Sequence, residues 1–139
     1  MIKELVTDEA LLSTPCEPAT VEDIAVATDL TDTLASLENA GCLAANQIGV
    51  TRALFAFEDE SGAVRVMANP KVLFGLGADK VEESCLTHEG ISRVTRYIKI
   101  KLSYDEFADG ELRHRKGEFV GWEAQMIQHM ADHCAGKLV

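Results

Sequence analysis

The ten residues YIKIKLSYDE, Tyr97 to Glu106, alternate without a break. Ile98, Ile100, Leu102 and Tyr104 fall on one side, and Lys99, Lys101 and Ser103 on the other. A period of two marks a strand with one buried face. Such a strand needs a partner, and the sequence supplies one. ADG (Ala108 to Gly110) reads as a turn, and ELRHRKGEFVG, which follows it, as a return strand. A half-buried pair joined by a short turn is antiparallel. This feature therefore excludes an all-helical chain.

The other elements fit the same class. RALFAF (Arg52 to Phe57) and AVRVMAN (Ala63 to Asn69) flank the polar turn EDESG and read as a hairpin. NPKVLFGLG and DKVEESCLT read as two further extended pieces. Before them, STPCEPAT is a Pro-punctuated loop from which Thr20 opens a helix, with Asp23 three residues on as a capping-box analogue. Ile24, Ala27, Leu30, Leu34 and Leu37 give that helix one apolar stripe, and Asn39 and Gly41 stop it. A final helix is expected from about Trp122 to Cys134, ending near Gly136. The expectation is an α+β fold: one N-terminal helix, mostly antiparallel strands, then a C-terminal helix. The 139 residues suit a single domain spanning 1–139.

Charge narrows the function classes. The net charge is −10, and the Lys and Arg residues are scattered. A nucleic-acid binder carries a basic patch. Direct binding to nucleic acid, or to an anionic membrane, is not expected. No apolar run reaches membrane-spanning length. The opening MIKELVTDEALL lacks an export signal, so a cytoplasmic location is expected. Cys16, Cys42, Cys85 and Cys134 form no C-x-x-C pair, which removes zinc-ribbon and thioredoxin motifs.

The chemistry concentrates in QMIQHMADHCAG, Gln125 to Gly136. At 100° per residue Trp122, Met126, His129 and His133 share a helix face. Trp122 and Met126 are expected to be buried, and two imidazoles beside them need partners. A metal ion is one solution, and ordinary hydrogen bonds are the other. A catalytic metal centre takes three protein ligands and keeps one position open. His114, among cations in LRHRK, reads as solvated. Cys85 in EESCLT is the better third ligand, with a plain buried thiol as the alternative.

Three segments occur in order: CLAANQIGV (Cys42 to Val50), ESCLT (Glu83 to Thr87) and QHMADH (Gln128 to His133). Together they resemble the signature motifs of peptide deformylases, G-x-G-L-A-A-x-Q, E-G-C-L-S and H-E-x-D-H. The resemblance covers nearly the whole chain. That family removes the formyl group from N-terminal formyl-methionine. It holds one divalent transition metal, iron or zinc and sometimes nickel, on one Cys and two His. The resemblance implies Cys85, His129 and His133 as ligands. It implies Gln47 and the backbone N–H of Leu86 as oxyanion donors, and Gly41, Cys42 and Leu43 along the substrate. Glu83 matches the family's own glutamate and is expected to have a structural partner. Asp132 is expected to support the helix or a ligand imidazole.

The departures are specific. The family's proton-moving Glu corresponds to Met130, and a thioether neither takes nor gives a proton. Positioned acid–base groups contribute about 10²- to 10⁴-fold. The first motif's two glycines correspond to Ala40 and Cys42, and Ser84 replaces the glycine of the second. His88 and Glu89 are candidates for a replacement base. The implied partner is a small peptide, an N-terminal formyl-methionyl substrate. Ribosome contact is not expected, because the chain ends at Val139, where many relatives carry a further docking segment. Two readings follow. One is a deformylase-type hydrolase with weak or redirected activity. The other is a metal-containing pseudoenzyme that binds acylated peptides.

Overall fold

The computed structural model describes residues 1–139. Five strands form one antiparallel sheet in the order β1-β2-β3-β4-β5: β1 (Cys42–Ala44), β2 (Leu54–Glu58), β3 (Val64–Cys85), β4 (His88–Ala108) and β5 (Glu111–Val120). Three α-helices accompany it: α1 (Glu9–Leu12), α2 (Ile24–Ser36) and α3 (Gly121–Cys134). The α+β expectation holds, and one turn of helix, α1, was not anticipated. No helix is long and apolar enough to cross a membrane.

The sheet is covered on both faces. Leu54 and Ala56 of β2 pack with Ala27, Leu30 and Leu34 of α2. Their neighbours Phe55 and Phe57 pack with Ile127 and Met130 of α3. Alternate residues of a strand point to opposite faces. That is why LFAFE carries apolar residues at four successive positions, all buried. The expected stripe on α2 buries Ala27, Leu30 and Leu34, whereas Ile24 stands exposed in its first turn. Asp23 accepts the Thr20 backbone N–H at 2.8 Å, as the capping signal predicts.

Turn chemistry fixes the hairpins. Asp59 accepts from the backbone of Ser61 and Ala63 at 2.9 and 3.1 Å, which closes the β2–β3 turn. Asp109 and Gly110, both at positive φ (52° and 76°), form the two-residue β4–β5 turn.

Two expectations need correction. NPKVLFGLG and DKVEESCLT are not separate pieces but stretches of one 22-residue strand, β3. Register shifts at Ala68/Lys71 and Val72/Phe74 break its alternation, which hides the continuity from a period-two reading. Ile98, expected on the core face, is 64% exposed. It covers Gly77, where any Cβ would stand 2.4 Å from Ile98 Cγ2.

Candidate active site

Strand β3 ends at Cys85, which pairs with His88 across a two-residue tip. This long hairpin carries the thiol to α3, where His129 and His133 sit one turn apart with ring centroids 4.9 Å from each other. His133 Nε2 lies 3.3 Å from Cys85 Sγ and 3.2 Å from His129 Nε2. All three ligand atoms fall within 4.8 Å of one another. Tetrahedral bonds of usual length to zinc would set such donors about 3.3–3.6 Å apart. The donor set therefore fits a divalent transition ion in both chemistry and spacing.

The surrounding groups aim the rings. His129 Nδ1 lies 2.8 Å from Glu83 Oε1, which leaves Nε2 for the cluster. Arg96 donates to both Glu83 oxygens, at 3.0 and 2.8 Å, and to Asp132 at 2.7 Å. Gln125 Nε2 donates to Glu83 Oε2 at 2.9 Å. Asp132 thus acts on the guanidinium, not directly on an imidazole. The buried His133 Nδ1 has no hydrogen-bond partner. That ring meets the cluster through Nε2, while its Nδ1 lacks the outer partner that Glu83 gives to His129.

Charge follows from these contacts. Burial alone would raise the Glu83 carboxyl, but hydrogen bonds from His129 and Arg96 outweigh it and hold it at about 2. Burial would also raise the Cys85 thiol, yet His129 and His133 bring it down to about 5. His129 moves the other way. Burial lowers it, but Cys85 and Glu83 raise it to about 9. As protein groups alone, these residues favour a thiolate beside an imidazolium. A thiolate is the form that binds a metal.

A cleft of about 350 Å³ opens onto the cluster, and Gly41, Cys42, Gln47, Leu86 and Met130 line it. Gln47 is 1% exposed. Its Oε1 accepts the Ala44 N–H at 2.9 Å, and its Nε2 lies 3.3 Å from Cys85 Sγ and 3.1 Å from Thr87 Oγ1. Leu43 does not line the cleft; its side chain is buried on the α2 face of the sheet. Neither His88 nor Glu89 lines it. Trp122, expected to be buried, is 67% exposed and lines the cleft, while Ala124 in the same turn of α3 takes the buried position at 0%. Met126 and Met130 are buried, at 5% and 1% exposure.

Arg96 escaped the sequence reading, although a signal was there. Arg96 keeps the period-two spacing of Ile100, Leu102 and Tyr104, the buried face of β4, although Ile98 between is exposed. Asn46, which donates to the His133 backbone carbonyl at 2.9 Å, gave no such signal within its loop.

The family model for polypeptide deformylase matches residues 2–139. The chain belongs to the polypeptide deformylase family. It is 38% identical to a peptide deformylase of Clostridium beijerinckii over 140 residues, covering all of both chains. It is 34% identical over 119 residues to one from Prochlorococcus marinus, matching 81% of this chain and 57% of that protein's length. Among solved structures, the Thermus thermophilus peptide deformylase superposes with a TM-score of 0.85 at 29% identity, covering 99% of this chain and 83% of that one. Peptide deformylases are metalloenzymes, and this deformylase-family chain brings one Cys and two His together.

Proposed function

We propose that the chain is a metal-dependent amide hydrolase whose removal of formyl groups from N-formyl-methionyl peptides is weak, because Met130 occupies the position of the proton carrier. One observation carries this reading: a thioether at 1% exposure lies on the cleft wall between two converging histidines in sequence. When held by Cys85, His129 and His133, a divalent ion (iron(II) or zinc(II), with nickel(II) a third option) supplies Lewis acidity at the formyl group. The protein groups supply the rest. Gln47, fixed through Ala44, offers uncharged N–H donors to a developing oxyanion, together with the Leu86 backbone N–H. Gly41 and Cys42 present backbone to the substrate. Glu83, Arg96 and Asp132 hold the His129 ring in place.

The proton-transfer role is the one left without a residue. Glu83 is tied to Arg96, His129 and Gln125. Glu82 is exposed and lines the cleft without an ion pair, so it is the carboxylate to test as a replacement. In metal-loaded protein, Met130→Glu should raise formyl-peptide hydrolysis by roughly 10²-fold or more. If the single variant stays inert, Met130→Glu with Cys42→Gly tests whether the altered loop blocks substrate. Wild-type turnover equal to an ordinary deformylase refutes the impaired reading, and its loss in Glu82→Gln would then name the base.

A second reading, a peptide-binding pseudoenzyme, draws on the same burial of Met130: the cleft keeps its walls while its acid–base group is gone. Metal-loaded protein that binds formyl-methionyl peptide, yet hydrolyses none even as the double variant, would favour it.

A further inference from the structure

Two cysteines from opposite ends of the sequence, Cys16 and Cys134, meet outside the cleft, and neither lines it. The Cys16 backbone N–H donates to the Cys134 carbonyl oxygen at 2.9 Å. This contact bounds the distance between the two residues. The covalent arms on its two sides, N–Cα and Cα–C=O, add at most about 3.9 Å to it. The Cα atoms therefore lie no more than about 6.8 Å apart, within the span that a disulfide bridges. The side chains share an environment as well. Cys134 belongs to the apolar cluster around Phe57 and Met130, and Cys16 packs against the same cluster. Just past Cys134, Gly136 lets the two backbones close up: a Cβ there would stand 2.7 Å from the nitrogen of Pro15, the neighbour of Cys16. Both thiols are free. Cys134 is buried and Cys16 only half-buried, so one of the two sulfurs is open to solvent.

We propose that Cys16 and Cys134 are a redox-modification site, which hydroperoxides convert to a disulfide that fastens the N-terminal loop to the end of α3. Hydrogen peroxide takes the Cys16 thiol to a sulfenic acid and releases one water. The Cys134 sulfur then attacks the Cys16 sulfur. The S–O bond breaks, and the hydroxyl leaves with the Cys134 proton as a second water. Two thiols are oxidised to one disulfide, and one peroxide is reduced to two waters. A dithiol reductant reverses the step by exchange. Cys134 is the last residue of α3, so the link holds the helix that carries both histidines. It consumes neither Cys42 nor Cys85.

The experiment treats the full, zinc(II)-loaded chain with a modest excess of hydrogen peroxide. Thiols counted after denaturation should fall from four to two. Cleavage after glutamate separates Cys16 from Cys42, and Cys85 from Cys134. The unreduced digest should therefore join the Cys16 peptide to the C-terminal peptide that holds Cys134. The linked chain should melt at a higher temperature than the reduced one, because the bond restricts the unfolded chain. Cys16→Ser should lose both the link and the shift. Cys42→Ala/Cys85→Ala keeps only this pair of thiols and should link with the same yield, so the result does not depend on whether Cys85 holds a metal. An unchanged thiol count in wild-type protein overturns the proposal. So does a link that runs through Cys42 or Cys85 instead, or Cys16 recovered as sulfinic acid with no link. A linked chain that melts below the reduced one also overturns it, because the fold then does not accommodate the bond.

Discussion

Arg96 joins the hairpin to the helix. Its guanidinium is 7% exposed and spans Glu83, on β3, and Asp132, on α3. Removing one partner of a buried ion pair leaves the others uncompensated, at a cost of about 3–5 kcal/mol. Arg96→Met should lose stability of that order in urea denaturation. Arg96→Lys should fall between, since it keeps the charge but not the planar fork. Equal stability of Arg96→Met and wild type would mean the triad is dispensable. Cys42 allows a second test at this scale. Burial first, then the nearby charges on Cys85 and Glu83, raise its thiol to about 12. Its thiolate fraction is therefore small at pH 8 and grows as pH rises toward that value. In chelator-treated protein, iodoacetamide at pH 8 should label Cys85 well before Cys42, and Cys42 labelling should accelerate with pH. Peptide mapping that finds Cys42 modified first contradicts this.

The end of α3 closes the helix that carries His129 and His133. Gly136 has φ +78°, and a Cβ there would meet the Pro15 nitrogen at 2.7 Å and the Ser13 carbonyl oxygen at 2.8 Å. Both obstacles are backbone and have little room to yield. Left-handed strain alone costs roughly 1–2 kcal/mol, so Gly136→Ala should lower stability by more than that in thermal melts. A melt within error of wild type would show that the N-terminal loop gives way instead. Gly136 was readable as a helix stop, but its contact with Pro15 was not, because a period analysis sees one element at a time. The same limit explains β3. Gly75 and Gly77 lie beneath Tyr97 and Ile98, so the strand loses its side-chain pattern where it packs most closely on its neighbour. The β4–β5 hairpin kept both its alternation and its Asp-Gly turn, and so was legible.

Across the whole molecule, the proposed ligand set joins residues 48 positions apart, Cys85 and His133. An unfolded chain does not hold them together, so an ion bound there stabilises the folded state by mass action, about 4 kcal/mol at a thousandfold excess over Kd. Adding zinc(II) should raise the melting temperature, chelator should reverse the rise, and Cys85→Ala should abolish it. A melt indifferent to metal in wild-type protein counts against the centre. Its residue types were legible because three motifs kept their order. The exposure of Trp122 was not, since a helical stripe does not reveal that Ala124 takes the buried place in that turn. That misreading has a useful counterpart. Trp122 is the only tryptophan of the chain and stands two-thirds exposed at the cleft mouth. A ligand that settles in the cleft takes water away from the indole, and its emission moves to shorter wavelength. The molecule thus carries its own optical reporter of cleft occupancy, one that responds to a peptide whether or not it is ever cut.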